Sequence, residues 1–321
     1  MKTTKLNQWQ KHLQFKGKRE STINSYIKNI EEFYDYCKEI GGLIKEEDIL
    51  EEVDNKAIDT YVEYLREKKK AKASTTNQKI ISLKTFFKYL IEKQDLELNI
   101  SINKIETIGS VIVEEETTQK EIISTEEAKR ILKCSYEKGE REKNFDFNSA
   151  RNRFLISFLL SNGCRIEEIL STKMEDLIPI EDGYIINMDM KKVKNHINKK
   201  AFIVGDVLKY YNEYKAEREK NEKYNNSEYL IISTTGNKMN RKNTNEVFQK
   251  LAKKADVKVH FTNHCCRHFC ASVLLDKGNN EESIKKLLGW KQKGDKVFEK
   301  YTRHSVNDDK TLIKMVKSVL E

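Results

Sequence analysis

The chain has 321 residues and a formal net charge of +9, and 38% of its residues are hydrophobic against 35% charged. This length favours two domains, and a composition with a single proline and 12 glycines favours a mostly helical protein. No run of roughly 18 or more apolar residues occurs, so the sequence predicts no membrane-spanning helix. The N-terminus lacks the apolar segment of a signal peptide, and the six cysteines follow no disulfide framework, so we expect a cytoplasmic protein.

The first hundred residues carry the apolar periodicity of amphipathic helices. A long helix is predicted to begin at Ser21 or Thr22, whose side chains can cap it. Further helices are predicted after Asp54 and after the basic segment 68–74. With a shorter helix near the start, they predict a small helical bundle, which we assign to a first domain covering residues 1–105.

The helical period is lost between the two predicted domains. Residues 102–121 show no such pattern, and we assign 106–121 to a linker. Ser124 and Glu127 then form the pattern of a capping box, which opens a new helix. The second domain is predicted to cover residues 122–321.

The second domain is predicted to mix helices with a small sheet. Residues 154–160 are almost entirely apolar and predict a core helix, which Asn162-Gly163 ends. Residues 184–190 and 201–204 predict a hairpin with a lysine-rich tip, and 228–233 predict a third strand. The fold class is therefore mainly α, with an N-terminal helical bundle followed by an α+β domain that contains a small antiparallel sheet.

The segment HCCRHFC, residues 264–270, raises the question of a metal site. On a helix, His264 and His268 share one face, whereas Cys266 and Cys270 share another face roughly 200° away. Structural zinc sites usually draw paired ligands from two separate segments, and this chain has no second cluster. We therefore favour the alternative, in which the cysteines are small packing residues of a core helix.

Basic side chains at two predicted helix starts suggest anion binding. His264 and Arg267 are spaced i, i+3 near a helix N-terminus, a favourable place for a phosphate. Arg165 follows the Asn-Gly turn, and Glu168 lies three residues on, where it can bond and orient that guanidinium. The alternative is an ordinary helix start at the surface. The excess of 60 Lys and Arg over 51 Asp and Glu permits nucleic-acid binding without proving it.

Five motif positions occur in an order that resembles the tyrosine recombinase (phage integrase) family, in particular its simple two-domain Xer/Cre-like members. They are Arg165 in GCRIEEIL, His264 and Arg267 in HCCRH, Trp290 in LGW and Tyr301. The resemblance covers nearly the whole chain. It implies a SAM-like core-binding domain that forms part of a DNA clamp, followed by the catalytic domain.

The resemblance implies a catalytic role for each motif residue. Tyr301 would attack a DNA phosphodiester and leave a 3′-phosphotyrosine and a free 5′-hydroxyl, while Arg165 and Arg267 hold the phosphate oxygens. His264 would assist proton transfer, and Trp290 would donate its indole N–H.

Two further residues would support this chemistry. A hairpin lysine would protonate the leaving 5′-oxygen; Lys194 fits that role best and Lys192 second, although Lys199 and Lys200 also crowd the tip. Glu168 would hold Arg165 in place. The resemblance implies neither a cofactor nor a metal.

The sequence departs from the family pattern at three places. Cys266 stands where the family has Leu, Asn99-Ile100 replaces an asparagine-proline pair, and the interval from Trp290 to Tyr301 is slightly longer than usual. Taken singly, Trp290 and Tyr301 are equally compatible with ordinary core aromatics. The ordered set of motifs is what favours the recombinase.

The family resemblance also implies partners. We expect double-stranded DNA with inverted-repeat core sites, a homotetramer on two such sites, a nucleoid-associated location and no membrane. The apolar helix 311–320 would dock on a neighbouring protomer, or alternatively on its own domain. Other outcomes of the same fold are a type IB-like topoisomerase, a hairpin-forming resolvase or a catalytically inactive DNA-binding protein.

Overall fold

The computed structural model describes residues 4–43, 45–94, 98, 123–136, 145–188, 199–289 and 306–320. The chain divides into two compact units, Met1–Thr118 and Gln119–Glu321. The predicted linker, 106–121, lies outside the described residues, so the predicted domain limits stay predictions.

The first unit is a helical bundle around an aromatic core. Trp9, Phe33 and Phe86 are fully buried, and the Trp9 and Phe86 rings lie 5.0 Å apart. Its helices are α1 (Thr4–Phe15), α2 (Glu20–Gly41), α3 (Glu46–Glu52), α4 (Asn55–Glu67) and α5 (Ala73–Gln94).

Helix α2 starts earlier than the sequence predicted. Its N-cap is Arg19, which has extended backbone and makes no side-chain cap, and the Thr22 N–H already donates to the Arg19 carbonyl. The predicted caps, Ser21 and Thr22, were wrong because Glu20 can open the first turn next to the helix dipole without a hydroxyl cap. The predicted cap of α4 is present, since the Asp54 carboxylate accepts from the Ala57 N–H at 2.8 Å.

The second unit holds the remaining described elements around one apolar core. Ser124 and Glu127 form the predicted capping box. In chain order the elements are α6 (Thr125–Cys134), α7 (Phe145–Asn162), α8 (Ile166–Leu170), a short 3-10 turn (Met174–Asp176), β1 (Leu177–Ile180), β2 (Gly183–Met188), β3 (Lys199–Ile203), α9 (Asp206–Glu219), α10 (Glu222–Asn225), α11 (Arg241–Lys254), α12 (Asn263–Asp276), α13 (Glu281–Leu288) and α14 (Val306–Ser318).

The sheet is antiparallel in the order β1-β2-β3. Its central strand places Ile186 between Leu177 on β1 and Ala201 on β3. The mainly α fold with a small antiparallel sheet confirms the predicted fold class, and β2 and β3 form the predicted hairpin.

The third predicted strand, 228–233, was wrong. Tyr229 and Ile232 form only isolated bridges, and the strand that completes the sheet is β1. The carbonyls of Tyr229 and Leu230 accept hydrogen bonds from the Arg218 guanidinium instead of from a strand of the sheet. The apolar run reflects burial in the core, a cause that short sequences do not distinguish from strand pairing.

Helix α14 packs against its own unit in this single chain. Its buried side chains belong to the core of the second unit. Two ion pairs join it to the rest of the unit: Asp309 of the helix pairs with Lys200 at 2.6 Å, and Lys317 of the helix pairs with Asp182 at 2.9 Å. The structure therefore shows the alternative arrangement, and docking on a neighbour remains a proposal. The buried side chains are Leu312, Met315 and Val316 on the helix and Val319 and Leu320 just after its end. None of the described helices has both the length and the apolar character needed to cross a bilayer.

Candidate active site

The site begins at the turn that ends α7. Gly163 has a φ of +55°, a conformation that favours glycine, and an added Cβ would lie 2.2 Å from Leu288 Cδ2 and 3.3 Å from Cys270 Cβ. The turn therefore packs directly against α12 and α13. This contact brings three motifs that are distant in sequence into one place: Arg165 after the turn, Arg267 on α12 and Gly289 after α13.

Glu168 holds Arg165 through two hydrogen bonds. The Arg165 backbone N–H donates to Glu168 Oε2 at 2.9 Å, and Arg165 Nη1 donates to Oε1 at 3.0 Å. The Arg165 side chain is 37% exposed whereas that of Glu168 is only 4% exposed. A buried carboxylate thus anchors a guanidinium that still reaches the surface.

Arg267 lies on α12 and is held by the Gly163 turn that precedes Arg165. It is buried on α12, and its Nη1 donates to the Gly163 carbonyl at 2.8 Å. Burial lowers the pKa of Arg267, and the nearby positive charge of Arg165 lowers it further. Two guanidiniums that repel each other in this way favour an anion between or above them.

His264 stands in the first turn of α12, three residues before Arg267. Its side chain is exposed, and Thr262, the N-cap residue, makes no side-chain cap. His264 therefore lies at a helix N-terminus, a favourable place for a phosphate.

Lys199 is a site residue that the sequence ranked behind Lys194 and Lys192. It is the first residue of β3, is buried, and places Nζ 2.8 Å from Glu168 Oε2. Strand alternation was the available signal, because Lys199 shares a face with Ala201, which belongs to the core, whereas Lys200 points the other way.

The cysteines of α12 behave as packing residues. Cys266 and Cys270 are fully buried, and the Cys270 thiol donates to the Ser161 carbonyl. Burial raises the pKa of Cys270 to about 12, so this thiol stays protonated and is a poor metal ligand. Among the described residues, no group of three His, Cys, Asp or Glu side chains is placed to hold a metal ion.

Residues 121–308 match the phage integrase family, and residues 6–96 match the N-terminal SAM-like domain of phage integrases. The first match alone spans more than half of the chain. The chain belongs to the phage integrase family. It is accordingly a tyrosine-type site-specific DNA recombinase, as the order of its motifs predicted.

Several phage integrase relatives are similar over most of their length. The chain is 25% identical over 280 residues to tyrosine recombinase XerC of Leptospira interrogans, covering 85% of this chain and 80% of that protein. It is 27% identical over 287 residues to the TnP I resolvase of Bacillus thuringiensis, covering 88% and 89%.

Solved structures show the same fold at low sequence identity. The XerH recombinase in a post-cleavage complex with its palindromic difH substrate has a TM-score of 0.64 and 18% identity, covering 84% of this chain and 73% of that one. A lambda integrase tetramer bound to a Holliday junction has a TM-score of 0.59 and 16% identity, covering 92% and 79%.

Within this phage integrase fold, four of the seven predicted site residues are described. Arg165, Glu168 and Arg267 surround the Gly163 turn, and His264 shares the helix of Arg267. The other three, together with the second lysine candidate, lie outside the described residues; they are Lys194, Trp290, Tyr301 and Lys192.

Proposed function

We propose that the chain breaks and rejoins DNA with Tyr301 as the nucleophile. One observation carries this proposal: Arg165 and Arg267 lie close enough to influence each other, beside the carboxylate of Glu168, and Lys199 adds a further cation. This part of the site therefore carries an excess of positive charge. A phosphodiester and its pentavalent transition state are the anions that such an arrangement would stabilise.

The chemical step is the one that the motif residues imply. Tyr301 Oη would form a bond to the scissile phosphorus as the bond to the 5′-oxygen breaks, and the phenol would lose its proton. Lys194 would return a proton to the leaving 5′-oxygen, with Lys192 as the second candidate. The product would be a 3′-phosphotyrosine, which conserves the bond energy for rejoining.

The remaining motif residues would support this step. His264 would hold a phosphate oxygen or assist proton transfer, and Trp290 would donate its indole N–H. Arg165, aligned by Glu168, and Arg267, aligned by the Gly163 carbonyl, would bind the non-bridging oxygens. Rigid alignment matters because guanidiniums already in place need no reorganisation in the transition state.

We propose a homotetramer on two inverted-repeat core sites as the working assembly. The lambda integrase relative of this fold was solved as a tetramer on a Holliday junction. Helix α14 supports the proposal because its apolar side chains cover the second unit in the single chain and could cover the same surface of a neighbour by exchange. The enzyme would act on nucleoid DNA in the cytoplasm.

Covalent capture of DNA tests the proposal. The protein is incubated with sheared DNA from its source, quenched with SDS, and the attached fragments are sequenced. We expect recurring fragments that share an inverted repeat, lost in Tyr301→Phe but kept in Tyr136→Phe, which changes a half-exposed tyrosine away from the motifs.

The same experiment separates the alternatives. Capture of DNA without a shared sequence, together with relaxation of any supercoiled plasmid, would favour a type IB-like topoisomerase. Binding without any covalent attachment would favour a catalytically inactive DNA-binding protein. Equal capture by Tyr301→Phe would contradict the assignment of the nucleophile.

A further inference from the structure

Lys199 completes a buried bridge of charges beneath Arg165. Its Nζ lies 2.8 Å from Glu168 Oε2, the oxygen that also accepts the Arg165 backbone N–H, whereas Oε1 accepts from Arg165 Nη1. The Lys199 and Glu168 side chains are 3% and 4% exposed. Both carboxylate oxygens are thus occupied, one of them by two donors.

The surroundings fix the Lys199 side chain along its length. Gly289, the left-handed C-cap of α13, lies over its stem so closely that an added Cβ would be 3.2 Å from Lys199 Cδ. The buried Cys164 thiol, next to Arg165, lies near enough for the charge of Lys199 to lower its pKa, although burial raises that pKa overall. Lys199 therefore connects β3, the Arg165 turn and the end of α13.

Stability alone gives little reason to bury this pair. Removing two charges from water costs free energy that their attraction only partly offsets, and apolar residues of similar volume often serve a core as well. A buried lysine that touches the anchor of a functional arginine is better explained by what it does for that arginine.

We propose that Lys199 is a positioning residue for DNA cleavage: it keeps Glu168 ionised and in place, so that Glu168 presents the Arg165 guanidinium to the scissile phosphate. This inference rests on the proposed function. Lys199 itself does not act on the DNA, because its ammonium group is buried and committed to Glu168.

The charges around Glu168 determine how cleavage should depend on pH. The titratable groups that face Glu168 are Lys199 on β3, Arg165 and Cys164 at the turn, and Arg267 on α12. Burial raises the pKa of Glu168, but Lys199 and Arg165 outweigh it and lower that pKa overall. Without Lys199 the burial effect would gain weight, so Glu168 would take up a proton at higher pH and release Arg165.

The test measures single-turnover formation of the covalent complex between about pH 5 and pH 9. Its substrate is the DNA fragment that the wild type captures most. We expect Lys199→Met to slow cleavage by about 10- to 100-fold at pH 7, as a misplaced catalytic group does. The acid limb of its pH profile should also move to higher pH. Lys199→Arg keeps the charge and should retain the acid limb, and Lys200→Met is the matched control on the outward face of β3.

A double variant separates positioning from stability. Lys199→Met combined with Glu168→Gln removes both buried charges, so it should fold more stably than Lys199→Met alone. Under the proposal it still cleaves slowly, and its acid limb is lost because no carboxylate remains. Recovery of the cleavage rate together with stability would overturn the proposal, as would an unchanged pH profile in Lys199→Met. If the wild type captures no DNA, the proposed function fails first.

Discussion

Gly163 is the residue on which the geometry of the site depends most. Its carbonyl accepts from Arg267, its left-handed backbone leads into Arg165, and its missing Cβ leaves room for Leu288 and Cys270. A side chain at this position would have to displace Leu288, which precedes Gly289. One small residue thus sets the distance between the two arginines and the end of α13.

We expect Gly163→Ala to lower the free energy of unfolding by about 2–4 kcal/mol, since it adds a left-handed backbone cost to overpacking. Gly278→Ala is the matched control, because Gly278 has a φ of +72° but no atom within 4 Å of an added Cβ. It should lose only about 1 kcal/mol. Urea unfolding measures both free energies when the unfolding of the second unit is monitored by hydrogen exchange of its peptides. Equal losses would show that the contact with Leu288 is unimportant.

Helix α14 is held on its own unit mainly by buried apolar side chains. Met315 and Val316 are buried in the core of the second unit, whereas Lys314 between the buried positions is exposed. The ion pairs of Lys200 with Asp309 and Lys317 with Asp182 are partly exposed. They are therefore expected to orient the helix more than to stabilise it.

We expect Met315→Ala to lower the free energy of unfolding by about 2–5 kcal/mol, as cavity-forming core substitutions do. Lys314→Ala on the exposed face should change it by no more than about 0.5 kcal/mol. Urea unfolding of the protein without DNA measures both. If Met315→Ala has no effect, α14 is not docked on its own unit in solution, and docking on a neighbour becomes the better description.

The net charge of +9 affects the affinity for DNA. Lysine and arginine contacts to phosphates release counterions, so binding should weaken as salt is raised. The buried cations Arg267 and Lys199 contribute to local geometry, whereas exposed basic side chains supply most of this general attraction.

We expect the affinity for the captured DNA fragment to fall by about 10³- to 10⁵-fold between roughly 50 and 200 mM salt, as for six to ten phosphate contacts. Fluorescence anisotropy with Tyr301→Phe measures binding without covalent attachment. Lys199→Met should show the same salt slope, because its buried ammonium does not contact phosphate. A salt slope near zero would argue against a phosphate-dominated interface.

Five motif residues in a fixed order were enough to predict the family, because the chemistry of that family requires those side chains whatever surrounds them. They are Arg165, His264, Arg267, Trp290 and Tyr301. Helical periodicity likewise predicted the bundle, the core helix α7 and its end at Asn162-Gly163. These features depend on local spacing and on the conformational freedom of glycine, which a sequence displays directly.

Tertiary structure decided what local patterns leave open. The run 228–233 is apolar because the core covers it, and only its neighbours show that it pairs with no strand of the sheet. Lys199 looked like one of several lysines at a hairpin tip, yet burial beside Glu168 makes it part of the Arg165 anchor. Its partner lies 31 residues earlier, and a contact at that separation depends on how β3 packs against the Gly163 turn, which no local pattern encodes.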